Sequence, residues 1–165
     1  INFNYIIMNT DKSINALNVL VEVHNNRIQG YETALTESDG AFLEESDLKV
    51  LFSEFITNSR ECKSVLVREI INLEGVPIEG TNTASKFFRL WMDVKYALTC
   101  NDRYTILKSC EEGEGVAVQS YSAVLSDSIT DLTPEHQEII NTQLKLLKLD
   151  QNKVKHLFER SLTHE

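Results

Sequence analysis

Four long segments of this chain carry an apolar residue every three or four positions, the spacing that draws one stripe along a helix. The first reads Ile14, Leu17, Val21, His24, Ile28, Tyr31 and Leu35 and predicts a helix over 13–35, capped by Ser13 or Asp11. The second reads Leu48, Phe52, Phe55, Ser59, Cys62, Leu66 and Ile70; it predicts a helix over 46–73, with Gly75 suited to its C-cap and Pro77 barring continuation. The third reads Leu107, Glu111, Glu114, Val118, Tyr121 and Leu125 over 103–125, after Asp102 as cap. Beside it runs a line of Ile106, Cys110, Gly113 and Ala117, whose small members allow a close helix approach. The fourth reads Ile140, Leu144, Leu147, Gln151, Val154 and Phe158, opens with Thr133 as cap and Pro134 at the first helical position, and ends near Ser161.

Glu37 to Gly40 is a turn signal. Between the second and third helices, Thr83 to Leu98 places Phe87, Trp91, Val94 and Leu98 on one face and predicts a shorter helix. The order long, long, short, long, long implies two antiparallel hairpins joined by a crossover with a short extra helix. That is the connectivity of a ferritin-like four-helix bundle, so the expected fold class is all-α. The bundle is expected to occupy residues 13–161, with 1–12 an N-terminal extension, Met8 a candidate start, and 162–165 a tail.

Every stripe is interrupted near its middle by polar residues. Counting outward from the two turns sets His24 level with Ser59, and Glu111 and Glu114 level with Leu146 to Asp150, one turn from Gln151. Buried polar groups are costly unless paired, so four breaks at one level point to a site or to the remains of one. A dinuclear iron or manganese site in such a bundle takes one Glu from each of two helices and a Glu-x-x-His from each of the other two. No Glu-x-x-His is present: the histidines at 24, 136, 156 and 164 follow Val21, Thr133, Lys153 and Ser161 at that spacing. The metal-ligand candidates are therefore Glu111, Glu114, His24 and Glu61, each with a plainer alternative. His24 is either a ligand or a hydrogen-bonded core histidine. Glu111 and Glu114 either share an ion or pair with Arg60, Arg27 or Lys148, or one of them faces solvent. Glu61 and Glu54 suit surface positions, Cys62 suits a packed thiol, and Gln151 suits a neutral stand-in for a ligand.

Composition narrows the function. The 165 residues are 42% apolar, enough for one packed core. A net charge of −9 argues against nucleic acid and anionic membrane surfaces as partners, and no apolar run is long enough to span a bilayer. Three cysteines, Cys62, Cys100 and Cys110, with no C-x-x-C pair, fit a reducing cytoplasm. No nucleophile–base–acid set, phosphate-binding glycine loop or zinc spacing is present, so no catalytic or cofactor-binding residue is expected.

The run Phe88-Arg-Leu-Trp91-Met-Asp93-Val-Lys95-Tyr-Ala-Leu-Thr99, followed by Ile106-Leu, by Cys110-Glu111-x-Gly113-Glu114 and by Tyr121, resembles the bacterial ferritin-like family catalogued as domain of unknown function 2383. Glu22 and Gln29-Gly30-Tyr31 fit as well, and the likeness extends over about 12–160. It implies a ferritin-like bundle and no assigned activity. The resemblance also implies acidic residues near 29 and 65 and a histidine near 151, where this chain has Gln29, Val65 and Gln151, with Glu111 and Glu114 retained. The resulting expectation leans away from an enzyme: a cytoplasmic, uncharacterised helical protein, stress-related or an interaction module, with a degenerate metal site and no cofactor. The alternative is an iron- or manganese-binding ferritin-like protein with oxidase or storage activity. A homo-oligomer, such as a dimer packed through Trp91 and Phe87 or Phe88, is a third expectation.

Overall fold

The computed structural model describes residues 3–37, 47–80, 89, 92–93, 96–97 and 102–163, with the backbone alone for 3–8. Helix α1 spans Phe3–Glu37, α2 Asp47–Asn72, α3 Arg103–Asp127 and α4 Pro134–Leu162, with a 3-10 turn at Ile129–Asp131. No strand occurs among the described residues. Arg89, Met92, Asp93, Tyr96 and Ala97 are helical, but the bounds of the expected crossover helix, with Phe87, Trp91, Val94 and Leu98, lie outside the described residues. So does the turn over 38–40.

Residue pairs across the interfaces set the helix directions. Ile14 meets Gly75 while Arg27 meets Ser59, so α1 and α2 are antiparallel. Tyr121 meets Gln143 while Tyr104 meets Phe158, so α3 and α4 are antiparallel. His24 meets Tyr121 and Arg27 meets Glu114, which sets α3 antiparallel to α1. Helices α2 and α3 therefore run the same way, and the link between them is a crossover rather than a tight turn. The bundle is square: α1 touches α2 and α3, and α4 touches α3 and α2.

The caps form where the residue types predict them. Asp102 accepts from the Tyr104 N–H at the start of α3, and Thr133 accepts from the His136 N–H ahead of Pro134 at the start of α4. The start of α1 differs from expectation. Ser13 is not a cap, because α1 already begins at Phe3 and the Ser13 hydroxyl bonds the Asn9 carbonyl one turn back and the Asp131 carbonyl of the 3-10 turn. A stripe marks only a helix's buried stretch, so residues 9–12, half-buried or exposed, escape it. The end of α2 differs in detail. Glu74, at φ 60°, takes the left-handed position, while Gly75 sits where an added Cβ would lie 2.9 Å from three Ile14 side-chain atoms. Gly75 is there for space, not for φ.

Beyond α2 the chain crosses the outer face of α1. Asn18 bonds Val76 O and Ile78 N, and Asn25, two turns on, donates to Gly80 O at 2.8 Å. With α2 and α3 on its other sides, α1 is enclosed, and Val23, His24, Asn25, Asn26 and Arg27 are buried in succession. Leu17, Phe52, Phe55, Leu66, Ile106 and Leu147 fill the apolar interior. No helix among the described residues is long and apolar enough to cross a membrane.

Candidate functional site

The centre of the bundle holds an arginine. Arg27 projects from α1 and is wholly buried, as are its partners Glu114 on α3 and Asp150 on α4. Its guanidinium makes four hydrogen bonds: Nε and Nη2 to Glu114 Oε1 at 3.2 and 3.1 Å, Nη2 to Asp150 Oδ2 at 3.2 Å, and Nη1 to Ser59 Oγ at 2.7 Å. Nη2 also lies 3.0 Å from Glu114 Oε2. The Phe55 ring lies 5.4 Å from the guanidinium carbon, a cation–π contact. Tyr31 donates to Glu114 Oε1 at 2.5 Å, and Asn58 donates to both oxygens of Asp150 at 3.1 Å. The other three long helices thus each send a polar group to one cation on α1.

Electrostatics follow from burial. Taking Glu114 and Asp150 out of water raises both above their ordinary values, while Arg27 pulls each back down. Burial would lower Arg27, but the carboxylates of Glu114 and Asp150 outweigh it and hold the guanidinium charged. Burial raises the Tyr31 phenol well above 10, so it stays an O–H donor. With both carboxyls ionised the cluster carries one excess negative charge in a dry interior, softened by the donors of Tyr31 and Asn58.

One turn along lies a second, neutral set. His24 Nε2 is 2.6 Å from Tyr121 Oη, Tyr121 Oη donates to Gln143 Oε1 at 2.6 Å, and Gln143 Nε2 donates to the Cys62 carbonyl at 3.1 Å. With the Tyr121 proton used on Gln143, the bond to His24 needs the Nε2–H tautomer, which leaves the buried Nδ1 without a donor or acceptor. Burial, with Arg27 and Lys63 in support, holds His24 well below 6.5, so the ring is neutral at physiological pH.

The expected site residues divide. Glu114 stands in the centre. His24 is in the interior but a turn away, and Ser59 is level with Arg27 rather than with His24. Glu111 is only half-buried, and Glu61 is exposed. Gln151 is a correction: it is half-buried with its Nε2 3.5 Å from where a Gly115 Cβ would stand, and Asp150 takes the interior position. Arg60 pairs with Glu32, and Lys153 with Glu54, on the surface. Arg27 was one of three possible partners in the sequence; Asp150 lay in the stretch level with Glu114 but fell one residue off the stripe.

The centre does not suit a metal ion. Its two carboxylates already face a guanidinium, the nearest imidazole is tied to Tyr121, and among the described residues no group of three His, Cys, Asp or Glu stands close enough to hold one. Nor does it offer a nucleophile. Burial pushes the Cys62 thiol up to about 11 and raises Cys110 further, so both stay protonated and inert. What the arrangement supplies is a fixed internal cation that joins four helices.

A family model described as Domain of unknown function (DUF2383) matches residues 12–127. No curated protein and no solved structure matches the chain.

Proposed function

We propose a function from one premise: this chain belongs to the family described as domain of unknown function 2383. That description names no activity, so the reading rests on the interior site. The chain is a non-catalytic, ferritin-like helical bundle that serves as a metal-independent interaction module. One observation carries this: the Arg27 guanidinium, with its four hydrogen bonds, stands in the interior layer where bundles of this connectivity gather metal ligands. A covalently attached cation pairs with both Glu114 and Asp150 without an ion from solution. It leaves no open coordination position at which oxygen or a substrate would react.

Elemental analysis of the protein purified from its native host tests the reading. The expected result is iron and manganese far below one per chain, and a melting temperature unmoved by a strong chelator. Stoichiometric metal, or a chelator-induced drop of several degrees, overturns it.

A further inference from the structure

We infer that the groove between α2 and α4 is a docking site for an amphipathic helix with basic flanks. This rests on the interaction-module reading and names its surface. The groove measures about 590 Å³ and has a mostly apolar lining, with Val65, Ile139 and Leu146 as its walls and Glu61, Glu135 and Glu138 on its edges. None of the lining residues is basic.

Three observations define the occupant. First, the floor offers no free polar group from Gln143, because its carbonyl accepts from Tyr121 and its amide donates to Cys62. A polar small molecule finds no free partner in Gln143, whereas leucine-like side chains bury apolar area against Val65, Ile139 and Leu146. Second, the α4 wall runs from Glu135 to Leu146, about 16 Å at 1.5 Å per residue, which suits three helical turns presenting i, i+3, i+4 and i+7. Third, three exposed carboxylates border that apolar strip on a chain of net charge −9, so the complementary partner is cationic. A second copy of this chain would bring the same negative field and be repelled.

The test uses the full chain and a fluorescein-labelled leucine/lysine peptide with leucines at helical spacing, read by anisotropy. The isomorphous leucine/glutamate peptide is the control. Saturable binding of the lysine peptide alone is expected. The double variant Glu135→Lys, Glu138→Lys should weaken it by roughly tenfold or more, and Ile139→Ala by severalfold. The double variant Glu112→Lys, Glu159→Lys changes the net charge equally at exposed positions away from the groove and should leave affinity within about twofold. Hydrogen exchange should show protection over 61–65 and 135–146. No saturable binding, equal losses in the two charge-reversed variants, or protection elsewhere refutes the docking site. Those outcomes leave the metal-independent core standing, whereas metal found in the native protein would overturn the core reading whatever the peptide does.

Discussion

Replacing Arg27 by methionine removes the cation and leaves an unbranched apolar side chain in an interior closed to bulk solvent. Glu114 and Asp150 are both wholly buried, and each bonds to Arg27. Removing one partner of a buried ion pair costs about 3–5 kcal/mol, because the remaining charge loses its compensation without regaining solvent. Two carboxylates share this arginine, which places the loss at the upper end, against a total stability of about 5–15 kcal/mol for a domain. At a urea slope of about 2 kcal/mol per molar, the midpoint falls by about 2 M. The loss has a pH signature. Without Arg27 to pull them down, both carboxyls rise further above 4.5 and 3.8. A carboxyl raised in the folded state binds its proton better there than in the unfolded chain. Its contribution is therefore full below the ordinary value and is lost as pH climbs through the folded one. The deficit of Arg27→Met is thus largest near neutral pH and shrinks towards about pH 4. Urea unfolding followed by far-ultraviolet circular dichroism at several pH values measures it. Adding Glu114→Gln and Asp150→Asn to Arg27→Met should return much of the loss. A deficit below about 1 kcal/mol, or one that does not vary with pH, would refute the account of one arginine compensating two buried carboxylates.

His24 gives the opposite pH dependence. Its folded value lies well below 6.5, so its contribution is present above 6.5 and is lost as pH falls towards the folded value, at up to about 1.4 kcal/mol per pH unit. His24→Gln should flatten that acid limb relative to the parent chain, and the difference between the two unfolding curves cancels the opposing slope of Glu114 and Asp150; parallel curves would mean that the ring is not held neutral. Gly75→Ala should cost about 1–3 kcal/mol, because the new methyl would sit 2.9 Å from Ile14 atoms, and trimming Ile14 to Val in the same chain should restore part of it. Thermal melts that show no loss would mean the Ile14 side chain yields freely.

Much of the fold was legible because long amphipathic helices and their caps are local properties. Phe52, Phe55, Leu66, Leu107, Leu147 and Val154 lie in the core as their spacing predicted, and Asp102 and Thr133 cap as their residue types predicted. The interrupted stripes also located the polar centre, since Ser59 and Glu114 both belong to it. Its chemistry was not legible. A stripe assumes that a helix has one buried face, but α1 is enclosed by α2, α3 and the 76–80 segment, so Arg27 is as dry as His24 although it lies off the stripe. On α4, one residue is about 100° of rotation, and that angle exchanged the expected Gln151 for Asp150. Sequence alone determined which segments are helical and roughly where their polar breaks fall, because periodicity and capping act within one segment. Only the tertiary structure decided that the breaks converge on a guanidinium, because the rotation of each helix and the partner of each charge depend on what three neighbouring helices bring to the same point.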